Sequence, residues 1–331
     1  MACPPVQRQP PGPPPAVPHR SRPAAFSRLL PGLSLVALLL SCGTPLHTAA
    51  EPQGPQAVAA PALSGYPRLP RQAKELAELL VLLEQTLRNP ATPEQRLPEL
   101  AHQQQVLYRV LAQQPAMASA VGQLLPARWR PVLELQLTAR REFLAMRRGR
   151  HPIQQLPAWR IQPPAPAEQL LRHYREASAA TGIPWEVLAA VNLVESAMGR
   201  IDGVSVANAH GPMQFLPSTW AEPGIGAGGD IRNPRDAIHA AARYLVRRGG
   251  LKEIRRGLWG YNNSAHYGRA VLAYAALLKA DPNAYRAFYH WQVHVLTEAG
   301  DVWLPVGYNQ RRPIAVAEYL RQHPEHRAPQ D

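Results

Sequence analysis

The sequence predicts a mainly α-helical protein with a helical N-terminal region and one small β-hairpin near its C-terminus. Three observations carry this. Leucine and valine recur at three- and four-residue steps between residues 72 and 146, and apolar stripes of the same period lie between prolines and glycines from 163 to 282. After Leu278 the period switches to two. A chain of 331 residues has room for one or two folded units with tails, and 16 of its 37 prolines crowd into the first 70 residues.

Residues 1–42 read as a targeting segment. The apolar run LLPGLSLVALLL, residues 29–40, follows Arg20, Arg22 and Arg28 and precedes small residues, which is the order of a cleaved signal peptide. It falls short of the roughly 20 residues a spanning helix needs. The run closes on Leu39-Leu40-Ser41-Cys42-Gly43, which resembles the bacterial lipobox, so Cys42 is the expected lipidation site and a lipid anchor there the expected membrane contact. The other cysteine is Cys3, so the chain beyond residue 42 has no cysteine for a disulfide, a zinc site or a nucleophile.

Residues 43–70, rich in proline and alanine, are expected to be a disordered linker. Residues 71–162 form the expected helical appendage: Leu76, Leu79, Leu80 and Leu83 share a face, as do Val106, Val110 and Leu111, and prolines 90, 93, 115, 126 and 131 mark the breaks. Its expected role is packing or spacing. Pro163-Pro164-Ala165-Pro166 then opens the segment 163–282, which carries the chemistry.

The formal charge of +13 calls for an anionic partner: nucleic acid, a membrane surface or a wall polymer. The arginines come in scattered pairs, such as Arg140-Arg141 and Arg255-Arg256, without the basic run or aromatic ladder of a nucleic-acid module. No nucleic acid is therefore expected as a partner.

Ile183-Pro184-Trp185 opens a helix that Gly199 closes. On it Leu188, Val191, Glu195 and Met198 fall on one face, and a carboxylate aligned with an apolar stripe is costly unless paired or protonated. Partial burial raises its pKa, as a general acid near neutral pH requires. A glutamate at the edge of a stripe can also simply face water, so the helix alone does not decide its role.

What decides it is the segment downstream. Gly211-Pro212-Met213-Gln214 leads into Pro217-Ser218-Thr219, and Gly260-Tyr261-Asn262-Asn263 follows. With Glu195-Ser196, these motifs resemble the lytic transglycosylase family, over roughly residues 165–282. The sequence departs from the family pattern at Pro212, where leucine is usual, and at Gly260, where alanine is usual.

The resemblance implies a lysozyme-like transglycosylase domain at 163–282 that acts on peptidoglycan glycan strands without cofactor or metal. It implies that Glu195 protonates the oxygen linking N-acetylmuramic acid to N-acetylglucosamine and then deprotonates the muramic 6-hydroxyl, leaving 1,6-anhydromuramoyl ends. A single carboxylate suffices where the substrate's acetamido group stabilises the cation. Ser196, Met213, Gln214, Tyr261 and Asn262 are the implied substrate contacts, with Tyr261 donating to Glu195 or to the acetamido group. With the targeting segment, the expected location is the bacterial envelope, on its periplasmic side. A hydrolytic muramidase and a non-catalytic wall-binding scaffold are the rival readings.

Other acids have structural work available. Asn233-Pro234-Arg235-Asp236 reads as a helix cap, Asp202-Gly203 as a turn, and Asp230 follows a glycine-rich loop. In the extension 283–331, Tyr289, Trp291, Val293 and Val295 alternate with His290, Gln292 and His294, and Glu298-Ala299-Gly300-Asp301 turns into a second strand. His290 and His294 lack an evident third ligand, so no metal is expected there.

Overall fold

The computed structural model describes residues 63, 65–205 and 207–329. The targeting segment, Cys42 and the linker up to residue 62 lie outside the described residues.

The chain is built from α1 (Ala73–Arg88), α2 (Leu97–Gln113), α3 (Pro115–Leu124) and α4 (Arg130–Met146), then β1 (Gln155–Leu156) and β2 (Arg160–Ile161). The central part holds α5 (Ala167–Thr181), α6 (Trp185–Ser196), β3 (Ile201–Asp202), α7 (Pro217–Trp220), α8 (Pro234–Arg247), α9 (Ile254–Asn262) and α10 (Ala265–Ala280). It closes with α11 (Ala284–His290), β4 (Val293–Thr297), β5 (Gly300–Leu304), β6 (Ile314–Ala315) and α12 (Val316–Gln322). The fold is mainly helical with few short strands, as predicted.

Prolines explain the helix starts. Pro98, Pro115 and Pro131 each sit in a first turn, where the missing N–H sacrifices no bond. Asn233 caps α8 by accepting from the N–H groups of Arg235 and Asp236, and Ser264 caps α10 by accepting from Tyr267 N–H.

The boundary expected near residue 163 is not a gap in packing. One apolar core runs from Leu76 on α1 through Leu137 on α4 and Leu188 on α6 to Trp291. Helix α4 lies along α10 and α2 against α11, so the N-terminal helices are walls of the same core. Within it α6 is buried on every side from Val187 to Ser196, rather than on the one stripe the sequence suggested. A smaller core gathers Leu156, Ile161, Ile201, Val293, Val302, Leu304, Val316 and Tyr319, where β2 pairs with β3 and β4 with β5.

The hairpin is shorter at its start than the alternation implied. Tyr289 and His290 end α11, and pairing begins at Val293 opposite Leu304, with Glu298 and Ala299 at the turn. Both faces of β4 are buried because α2 covers the second one: His294 there meets His102 at 3.1 Å. Asp301 on β5 completes a buried polar seam, accepting from both Arg109 guanidinium arms, from His294 Nδ1 at 2.9 Å and from Tyr66 at 2.6 Å. Tyr66 thus ties the last linker residues to the folded unit, and His294 is committed to protein partners.

Candidate active site

The site forms where α6 ends. After Ser196 the backbone turns left-handed three times in succession, at Ala197, Met198 and Gly199 with φ of 52°, 64° and 88°. The helix therefore stops before Met198, which the sequence placed on its face. Such conformations are costly for alanine and methionine and persist only where surroundings enforce them. Here Gly199 N–H donates to Ser196 Oγ at 3.0 Å, and Met198 N–H to Asn192 O at 3.2 Å.

Glu195 is the last acid on α6 and is only 5 % exposed. Its Oε1 accepts a 2.7 Å hydrogen bond from the hydroxyl of Tyr267, on the first turn of α10. Burial pushes the carboxyl up to about 7, and the Tyr267 bond opposes that by favouring the ionised form. No carboxylate is among the groups that shift it. The result is an acid that holds and releases a proton near neutrality.

The remaining motif residues assemble the frame around that acid. Residues 211–214 make a tight turn, with Gln214 N–H bonded to Gly211 O at 3.0 Å and His210 bridged to Phe215. Gly211 has φ of +73°, and a Cβ there would lie 1.9 Å from the carbonyl oxygen of Ile231, so the position accepts only glycine. Two hydroxyls dock the turn: Ser196 Oγ donates to Pro212 O, and Tyr261 donates to Met213 O at 2.8 Å. The three separated motifs are thereby brought together.

Several expected contacts change character. Ser196 is fully buried with its hydroxyl spent on backbone, and Met213 is fully buried in the core, so neither side chain faces a ligand. Tyr261 bonds to the turn rather than to Glu195, because its ring is held between Phe215, Tyr244 and Tyr267 at 5.9, 5.6 and 6.3 Å. Gln214 Nε2 donates to Gly211 O at 2.9 Å, bracing its own turn. Asn262 is half-buried, and its Oδ1 is sequestered without a hydrogen-bond donor.

Tyr267 is the functional group that motif reading passed over. Its only sequence signal is a place in the stripe Tyr267, Val271, Tyr274, Leu278 after the Ser264 cap, which looks like ordinary core. The departures from the family pattern are structural. Gly260 lies under the Arg248 stem, which would meet a Cβ at 2.6 to 2.9 Å.

The other acids are occupied. Asp202 pairs with Arg160, with Nε at 3.0 Å, Asp230 Oδ1 accepts from Arg232 N–H, and Asp236 Oδ2 accepts from Asp230 N–H.

A helical core around one buried, near-neutral glutamic acid, framed by a tight turn and stacked phenols, is the arrangement of a lysozyme-like domain with the chemistry for acid/base work. Residues 172–287 match the Transglycosylase SLT domain family. That segment is about a third of the chain, and its likeness to the family supports lytic transglycosylation in general as the activity and peptidoglycan as the substrate class. No curated protein and no solved structure matches the chain. Among the described residues no helix is long and apolar enough to cross a membrane.

Proposed function

We propose that the protein cleaves the β-1,4 bond between N-acetylmuramic acid and N-acetylglucosamine with Glu195 as the sole acid/base, leaving 1,6-anhydromuramoyl ends. The observation that supports this is the buried Glu195 carboxyl, raised to about 7 and held by Tyr267.

Protonated Glu195 delivers its proton to the glycosidic oxygen as that bond breaks, and the substrate's acetamido group bears the developing positive charge. The resulting carboxylate, favoured by the Tyr267 hydroxyl, removes the proton of the muramic 6-hydroxyl, whose oxygen closes onto the anomeric carbon. Atoms and charge return to their starting state without water. Asn262 offers its side-chain amide to a sugar hydroxyl, while Tyr261 and Ser196 position the 211–214 turn that borders the acid.

The location proposed is the bacterial envelope, with export by the residues 1–42 segment and a lipid anchor on Cys42. The 43–62 stretch gives the enzyme reach from the membrane to the wall.

Glu195→Gln tests the assignment. Clearing of purified sacculi is expected to stop while sedimentation with sacculi persists, and wild-type digests should contain muropeptides lighter by one water than hydrolytic products. Reducing ends in the wild-type digest would instead indicate a muramidase, and full clearing by the variant would overturn the role of Glu195.

A further inference from the structure

The last turn of the chain brings together side chains that the reaction does not use. His323 Nδ1, Glu325 Oε1 and His326 Nε2 lie within 4.8 Å of one another, the carboxylate oxygen 3.6 Å from the first imidazole nitrogen and 3.4 Å from the second. Four ligands at 2.0 to 2.1 Å around a tetrahedral ion stand about 3.3 to 3.4 Å apart, so two of the three edges already have nearly that length. Closing the third needs only rotation of His323, whose side chain is 42 % exposed.

The supports of the cluster have the form that metal ligation requires. His326 is held between Trp303 and Tyr319, with ring centroids at 5.0 and 5.7 Å, and its far nitrogen, Nδ1, is 2.8 Å from the Tyr319 hydroxyl. With Nδ1–H donating to that oxygen, the Nε2 lone pair is directed at Glu325 and free to bind a cation; orientation of this kind, through the second ring nitrogen, is what fixes metal-binding histidines. The two imidazoles stack at 5.0 Å with planes 11° apart.

We propose that His323, Glu325 and His326 form a binding site for a divalent cation of the zinc class, with one coordination position left to solvent. Two imidazoles and a carboxylate suit zinc or its borderline neighbours and not calcium or magnesium, which take oxygen donors. The site also pins a junction. Glu325 carbonyl accepts from Tyr66 N–H at 3.0 Å, so ordering the 323–326 turn orders the point where the linker meets the folded unit.

The test uses the full chain, its thiols alkylated so that Cys3 and Cys42 do not bind metal, stripped with chelator and dialysed. Zinc chloride titrated by calorimetry is expected to fill one equivalent, and bound zinc should raise the melting temperature by a few degrees. His323→Ala and Glu325→Gln are each expected to weaken binding by about tenfold or more, and Tyr319→Phe by about tenfold, with far-UV circular dichroism unchanged. Should the histidine variant not fold, Glu325→Gln decides alone, since its carboxylate is 48 % exposed and braces no core. Absence of any zinc equivalent in the wild type, or wild-type affinity in Glu325→Gln, would overturn the proposal.

Discussion

At the scale of single residues, the proposed function turns on the Glu195 proton. Because burial raises the acid to about 7, the folded protein keeps a proton between pH 4.5 and 7 that the unfolded chain releases, and stability falls as pH rises through that window. Glutamine does not titrate. Glu195→Gln is therefore expected to gain stability over wild type by on the order of 2 to 3 kcal/mol between pH 4 and 8, seen as a widening gap in melting temperature. A constant gap would mean that Glu195 ionises normally. The Tyr267 bond acts in the opposite direction, so Tyr267→Phe leaves the carboxylate less supported. Its alkaline activity limb should move up by about one to two pH units, measured as kcat/KM against pH, and a stationary limb would show that the hydroxyl does not reach the acid in solution. The sequence located Glu195 through its motif company. It did not indicate Tyr267, because a tyrosine seventy-two positions away in an apolar stripe has no local mark of where its hydroxyl points.

At the scale of elements, the 211–214 turn is the piece that holds the site together. It has no helix or strand of its own and depends on Ser196, Tyr261 and the close approach of Gly211 to Ile231. Gly211→Ala introduces both a left-handed alanine, costing about 1 to 3 kcal/mol, and a backbone collision. We expect lowered denaturant midpoint together with loss of sacculus clearing; wild-type values for both would show that the turn can relax. The motif spelling around this turn was legible as a resemblance, and so was the cap of α8 at Asn233. The buried positions of Ser196 and Met213 were not legible for a physical reason: a residue type that can touch a sugar can equally satisfy a backbone carbonyl or fill a core, and only packing decides which.

At the scale of the whole molecule, the N-terminal helices and the C-terminal hairpin are joined to the catalytic segment through one core and a buried polar seam. Burial works against ionisation of Asp301, yet Arg109 and then His294 hold its carboxyl well below the usual carboxylate range. That contribution is present above the unfolded value near 4 and fades as pH falls below it. Asp301→Ala leaves the Arg109 charge buried without its partner and should cost about 3 to 5 kcal/mol, read from urea unfolding at neutral pH. A loss below 1 kcal/mol, the scale of an exposed ion pair, would show that the seam is hydrated in solution.

The sequence by itself determined the helical class, the hairpin and the break positions at prolines, and it singled out Glu195 for the proposed role, because period, backbone restriction and motif order are properties of neighbours along the chain. The tertiary structure alone decided that α1 to α4 share the catalytic core, that α6 is enclosed on all sides, and that a phenol from α10 supports Glu195. It alone also assembled His323, Glu325 and His326 with Tyr319 behind them. Those are contacts between surfaces whose composition is apolar or mixed either way, and burial and pKa follow from which surface meets which.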